Sequence, residues 1–423
     1  MIDRRPALIA RCAGIDDVIK CVKYARRCEM LVSIRGGGHN AGGLGVCDDG
    51  LVIDLSGMRH VEVNAAYRTV RVEGGCLWSD VDRATHAHGL AVPSGIISST
   101  GVGGLTLVGI GHLTRKCRLT IDNLLAADIV LADGSLVTAS ATEHPDLFWG
   151  VRGGGGNFGV VCSFQFRAHP VSNVMAGPTL WPMEQAADVM RWYREFIPAA
   201  PEDLNGFFAF LTVPPGPPFP EHLHLKKMCG ILWCYTGPEE DADEVFRPVR
   251  EFGPPALHGM HSVPFRGLQS VFDPIYPAGL QWYWRADFVK ELSDAAIERH
   301  VEFGMELPTW QSTMHLYPID GAAHRVGQED TAFSYRDATW AQVMVGVAPD
   351  PANNEQTISW TRRYWDALHP YSAGGAYVNF MMDEGQGRIQ ATYRGNYTRL
   401  REVKRRYNPN NLFRVNQNFL PAD

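Results

Sequence analysis

The sequence has no C-x-x-C pair, and its nine cysteines are scattered and odd in number. That usage argues against a disulfide framework and leads us to expect a reduced, cytoplasmic setting. No uninterrupted apolar run is long enough to span a bilayer, and Met1-Ile2-Asp3-Arg4-Arg5 lacks the apolar core of a signal peptide. Positive charge is not in excess. The formal net charge is -7 and the isoelectric point is about 6.1, which sets aside nucleic acid and anionic membrane as main partners. There is no G-K-[ST] segment to make a Walker loop and no G-x-S-x-G elbow. The pairs His86-x-His88, His222-x-His224 and His258-x-x-His261 lack carboxylate or cysteine partners at ligand spacing, so no metal is expected. Internal repeats are missing as well.

Glycine is plentiful: 43 of 423 residues, in a chain long enough for two or three domains. In the first third the glycines cluster in three loops, at 35–45, 93–111 and 153–159. Consecutive glycines in Arg35-Gly36-Gly37-Gly38-His39-Asn40 let backbone N–H groups approach a bound group, a nest that suits a pyrophosphate, and a nucleophilic imidazole follows at once. Gly154-x-Gly156-x-x-Gly159 matches the dinucleotide fingerprint in letters. Its context is reversed, with a helix expected before it and the strand Val160 to Phe166 after it, so it reads as a close-packed turn. Several glycine loops converging on one long ligand is a way to grip a dinucleotide without a Rossmann unit.

Apolar periodicity predicts helices over 15–29, 78–88, 143–150, 185–196, 240–252, 293–304, 354–368 and 396–407. Ser79 with Asp82 three positions on gives the second of these a weak capping box. Strands are predicted at 30–34, 51–55, 67–73, 160–166, 207–211 and 230–235, with a hairpin from Ala127 to Ala139 turning at Asp133-Gly134. Gln281-Trp282-Tyr283-Trp284-Arg285 is an aromatic strand, and Met314-His315-Leu316-Tyr317 a weaker one. The basic residues Arg399, Arg401, Lys404, Arg405 and Arg406 read as a solvated helix face. The texture changes near residue 172, where strands begin to alternate with amphipathic stretches, as in an antiparallel sheet covered by helices.

Five segments are shared with a known family. They are Arg35 to Asn40, Pro93-Ser94-Gly95, Thr100 to Leu107, Leu119-Thr120-Ile121-Asp122-Asn123-Leu124, and Asp146 to Val161. Together they resemble the PCMH-type FAD-binding domain of the vanillyl-alcohol-oxidase superfamily. Tyr377-Val378-Asn379-Phe380, Tyr407 to Arg414 and Asn416-Gln417-Asn418 resemble the C-terminal segment of berberine-bridge enzymes. The resemblance is thus to bacterial-type berberine-bridge-like FAD-linked oxidases and covers nearly the whole chain. It implies an α+β fold: a two-lobed FAD-binding domain (1–172), a substrate domain with an antiparallel sheet (173–372), and a C-terminal segment (373–423) that returns to the first domain. Related chains carry further residues ahead of the part matching Met1 to Pro6, so a shortened first lobe is expected.

The resemblance also implies site residues. His39 takes the position that bonds covalently to the flavin 8α-methyl carbon. Bicovalent relatives add a cysteine where this chain has Ile97, so a single link is expected. FAD contacts are expected from Arg35, Gly36, Gly37, Gly38, His39, Asn40, Gly95, Ser98, Thr100, Gly101, Gly103, Gly104, Gly159, Val161, Asn416 and Asn418. Cys76 and Cys117 are expected to be free buried thiols. Tyr377 is expected to be the base that removes a proton while hydride passes from substrate carbon to flavin N5, with Asn379 on the same strand face. The phenol, with an unperturbed pKa near ~10, would need a nearby positive charge or hydrogen-bond donors. Phe380 replaces a second tyrosine common in relatives. Thr100 leaves room for oxygen, which favours an oxidase forming hydrogen peroxide over a dehydrogenase. Trp282, Trp284 and Tyr317 would line the substrate site, although the same aromatics suit core packing. The substrate is expected to be a small molecule, a secondary-metabolite or sugar alcohol, with an amine of the hydroxynicotine kind as the alternative. A dehydrogenase or a non-catalytic flavin binder is a further alternative.

Overall fold

The computed structural model describes residues 2–423; Met1 lies outside the described residues. Near the N-terminus three short parallel strands form a small sheet in the order Leu8–Arg11, Leu51–Asp54, Val32–Arg35. The helix Ile15–Arg27 packs Val18, Val22 and Ala25 onto it. A five-stranded antiparallel sheet follows, ordered Val61–Asn64, Thr69–Glu73, Gly159–Arg167, Leu124–Leu131, Leu136–Ser140. The last two strands are the hairpin read from Asp133-Gly134, and Gly134 takes a positive φ of 83° in that turn.

The middle of the chain builds an eight-stranded antiparallel sheet. Its main path runs Leu257–His258, Asn173–Pro182, Lys227–Tyr235, Leu204–Thr212, Thr313–Pro318, Trp340–Ala348, Gln281–Val289, with His261–Pro264 also paired to Asn173–Pro182. Alternation along the strands sorts the two faces. Phe208, Phe210, Met314, Leu316 and Met344 face a core shared with the helices Ala186–Ala199, Asp294–Met305 and Asn354–Leu368. Phe207, Ala209, Tyr317, Trp284, Val343 and Val345 face the other way, into a core shared with Ala41, Ile96, Val108 and Ile110 of the N-terminal domain. The sheet therefore has one helix-covered face and one face turned toward the glycine loops.

Four local expectations are corrected. The stretch 240–252 is two short helices, Ala242–Val245 and Arg247–Glu251, because Pro248 has no N–H to continue the first. The second helix begins at Trp78, with the Asp80 carboxylate accepting the Leu77 N–H at 2.9 Å, so Asp80 and not Asp82 caps it. Residues 378–380 form a 3-10 turn instead of a strand, closed by Phe380 N–H donating to the Tyr377 carbonyl at 2.8 Å. Lys404 on the helix Asn396–Tyr407 is buried, not solvated. Its ammonium donates to Asn157 Oδ1, the Phe413 carbonyl and Asn418 Oδ1. The neighbouring basic residues are engaged as well, Arg399 over the Trp149 ring and Arg406 with Asp146.

Candidate functional site

The strand Val32–Arg35 runs straight into the Gly36-Gly37-Gly38 loop. Gly37 and Gly101 touch backbone to backbone. A Cβ on Gly37 would lie 2.6 Å from Gly101 Cα, and one on Gly101 would lie 2.4 Å from Gly37 N. Any side chain at either position would push the two loops apart, so these glycines hold the 35–40 and 95–104 loops together. Gly38 has φ 69°, and the Arg35 guanidinium folds beside it. The Arg35 side chain has no carboxylate or hydrogen-bond partner among the described residues, which leaves a cation free beside a run of backbone amides. Gly104 has open space on its Cβ side, and Gly103 has nothing nearer than 3.8 Å.

The other loops close on these. Asn416 Nδ2 donates to the Gly156 carbonyl at 2.8 Å, while its buried Oδ1 has no partner. Asn379 Nδ2 donates to the carbonyls of Gly104 and Leu105 at 2.9 and 3.0 Å, and its Oδ1 is likewise unsatisfied. Asn379 is thus brought to the glycine loops by the 3-10 turn and not by a shared strand face with Tyr377. Free acceptors, an unpaired guanidinium and side-chain-free loops are the features an FAD site needs, so the residues fit that cofactor.

Some expected contacts have other employment. Asn40 Oδ1 accepts from Leu44 N at 3.2 Å and closes its own turn. Ser98 donates through its hydroxyl and its backbone N–H to Asp273. Asn418 turns its side chain to Lys404. Gly95 packs against Leu105, and Thr100 offers its carbonyl to Trp78 N. Gly159 answers to sheet packing, because a Cβ there would lie 2.6 Å from Ile129 Cγ2; Val161 is half-buried in the same strand. Ile97 packs half-buried against the core between the domains. Cys76 and Cys117 are buried free thiols whose pKa burial pushes up to about 12.

His39 is exposed on one side, with protein packed around the rest of its ring. That crowding pushes its pKa below the usual histidine value, with the Asp273 carboxylate opposing. A neutral imidazole is the nucleophilic form. Tyr377 is 3% exposed, and its phenol oxygen accepts the Ile110 N–H at 3.0 Å. Burial raises its pKa, and the backbone N–H groups of Ile110 and Gly109 pull the other way. The hydrogen-bond donors that the sequence demanded are present; a neighbouring cation is not part of the shift.

From Tyr377 an aromatic wall runs along the inner face of the large sheet. Phe380 lies 5.3 Å from Tyr377 between ring centroids, Trp284 lies 4.9 Å from Phe380, and Trp282 lies 5.9 Å from Trp284. Tyr276 and Phe272 of the loop before that strand continue it to His315 and Phe207, and Tyr317 closes the group at 5.0 Å from Phe207. All three aromatics expected from the sequence are therefore in one wall. His315 Nδ1 and the Tyr317 hydroxyl are 2.7 Å apart, and burial pushes the His315 pKa down to about 3. His112, buried beside Phe207, has an unpartnered Nε2 and a pKa likewise pushed down to about 3 by burial. Asp273, Tyr276 and His112 were not singled out from the sequence. The alternation that places Tyr317 also places His315, but nothing local marks a loop carboxylate that meets Ser98 across 175 residues.

Comparison with known proteins bears on the same loops. A family described as "FAD binding domain" matches residues 6–140, and one described as "Berberine and berberine like" matches residues 376–419. An FAD-linked oxidoreductase of Dictyostelium discoideum is 30% identical over 420 residues, covering 98% of this chain and 89% of that one. The structure of 6-hydroxy-D-nicotine oxidase from Arthrobacter nicotinovorans superposes with a TM-score of 0.87 at 25% identity, covering 99% and 93% of the two chains. Glucooligosaccharide oxidase from Acremonium strictum, described with a 6-S-cysteinyl, 8α-N1-histidyl FAD, shares the fold at a TM-score of 0.86 and 21% identity, covering 99% and 93%. The two family matches fall on the glycine loops and on the Tyr377-to-Asn418 segment that closes over them, and the chain belongs to the berberine-bridge-enzyme-like FAD-linked oxidoreductases of the PCMH-type FAD-binding family.

Proposed function

We propose that this oxidoreductase is an oxidase of a small ring-bearing alcohol, with His39 as the single covalent anchor of its FAD and Tyr377 as the proton acceptor. Bound FAD supplies the hydride acceptor, and molecular oxygen takes the electrons on to hydrogen peroxide. The chain's own residues do the rest. Arg35 and the Gly36-Gly37-Gly38 amides hold the pyrophosphate, and Asn416 and Asn379 offer free side-chain carbonyls to the cofactor. The Tyr377 phenol takes the substrate hydroxyl proton, steadied by the Ile110 N–H. The aromatic wall orients the substrate and keeps water from the reacting carbon.

The observation that carries this reading is the position of Tyr377. Its oxygen is bonded to the Gly109–Ile110 turn, and its ring is packed between that turn and the aromatic sheet face. The wall from Phe207 to Phe380 is built of aromatic rings, with the Asp273 carboxylate beside it turned to Ser98, which suits a ring-bearing substrate. A second reading, oxidation of an amine, is favoured by the likeness to 6-hydroxy-D-nicotine oxidase. Peroxide release from the flavin-loaded protein over a panel of aromatic alcohols, sugars and cyclic amines tests both. Turnover of aromatic alcohols is expected. Turnover of amines alone replaces the first reading with the second, and silence across the panel with a photoreducible flavin removes both.

A further inference from the structure

The segment Leu119 to Leu124 is left without a task by the flavin site. It borders a separate cavity of about 200 Å³ at the junction of the two domains, whose lining includes Lys116, Arg118, Asn123, Arg167, His169 and Arg325. Two of its cations are already matched, Lys116 by Asp203 and Arg325 by Glu202. The cavity's one carboxylate, Asp122, is taken up by the Arg336 guanidinium in a bidentate pair. Arg118 and Arg167 have no carboxylate partner among the described residues. The cavity therefore carries uncompensated positive charge.

Arg118 and Arg167 are both exposed at its mouth, and two further details bear on the groups beside them. Asn123 Nδ2 donates to the Cys117 and Leu119 carbonyls at 2.8 and 2.9 Å, which fixes its Oδ1 as the atom that meets His169 Nε2 at 2.7 Å. His169 thus donates from Nε2, and Nδ1 is left free to take a proton. Arg118 adopts φ 69° and ψ -173°, a backbone region that is essentially reserved for glycine. An arginine held there is strained, and residues held in that way concentrate at ligand clamps.

We infer that this junction cavity is a binding site for a phosphoryl dianion, free phosphate or a small phosphate ester, held by Arg118 and Arg167 with His169 as a third donor. Burial and the charges of Arg167, Lys116, Arg118 and Arg68 push the His169 pKa down to about 4, and a bound dianion among those cations reverses the charge part of that shift. Two guanidiniums, with the His169 ring as a third polar group, match the three free oxygens of a phosphoryl group. The volume exceeds that of a bare phosphate, which leaves room for the carbon part of an ester.

The test uses the flavin-loaded protein, so that the cofactor's own pyrophosphate site is filled. Inorganic phosphate and glycerol phosphate are titrated at constant ionic strength, with the melting temperature and the His169 ring resonances as readouts. A saturable rise in melting temperature is expected, with an upward shift of the His169 pKa. Tighter response to glycerol phosphate identifies an ester as the ligand, and tighter response to inorganic phosphate identifies the free ion. Arg118→Gly separates binding from folding: relief of strain raises its melting temperature in phosphate-free buffer, while apparent affinity falls by about tenfold or more. Arg167→Gln lowers affinity to a similar degree and leaves flavin absorbance unchanged. A response that is absent in the parent protein, or unaltered in both variants, overturns the proposal.

Discussion

Tyr377 must lose a proton before it can act as a base, and burial works against that loss. With its pKa raised above the ordinary phenol value, the fraction ionised at neutral pH is small, and the Ile110 and Gly109 N–H groups only partly compensate. The proposed role therefore predicts that the rate of flavin reduction climbs from about pH 7 to about pH 10 without reaching a plateau. Tyr377→Phe should lower that rate by about 10²-fold or more, the scale of a lost general base, and should flatten the pH profile. A stopped-flow pH series on both proteins checks this; equal rates with parallel profiles remove Tyr377 from the proton transfer. The local setting of Arg35 and His39 was legible because it is contiguous: strand, glycines and imidazole follow one another in eight residues, Val32 to His39. The setting of Tyr377 was less legible. Its donors come from residues 109 and 110, more than two hundred and fifty positions away.

The helix Trp78–His86 shows what can be read from an element and what must come from packing. Its apolar spacing predicts it almost to the residue, but its cap is Asp80, and Asp82 points instead into the boundary with the helix Phe265–Gln269. Both Asp82 oxygens are buried without a hydrogen-bond partner, and burial pushes its pKa up to about 8, with the Asp273 charge adding to the rise. The folded pKa lies above the unfolded one. Asp82 therefore contributes stability that is fully present below about pH 4 and is lost as pH rises through about 8. Asp82→Asn should remove that slope, so its advantage in melting temperature over the parent grows from about pH 5 to about pH 9. A constant difference over the range shows that Asp82 does not titrate there. The 377–380 turn makes the same point: alternating apolar and polar residues suggest a strand, while docking of Asn379 on Gly104 and Leu105 bends the chain into a 3-10 turn.

At the scale of the molecule, two domains enclose the site, and buried charge pins them together. Arg336 of the sheet domain and Asp122 of the N-terminal domain form a bidentate pair with both side chains 2% exposed. Removing one partner strands a buried charge, at a cost of about 3–5 kcal/mol. Arg336→Met should therefore lower stability to unfolding by that amount, measured by chemical denaturation of the flavin-loaded protein; a loss within about 0.5 kcal/mol would show that the pair does not clamp the domains. An antiparallel sheet covered by helices was legible in the sequence, while strands such as Asn173–Pro182 and Trp340–Ala348 were not. The pairings that join the domains were not, because they link residues hundreds of positions apart. Across these loops, we propose, FAD is held by one covalent bond at His39. Mass spectrometry of peptides from acid-denatured protein tests it most directly. A flavin-bearing peptide containing His39 and an unmodified peptide containing Ile97 are expected. Flavin wholly in the acid supernatant, or attached to another peptide, contradicts it.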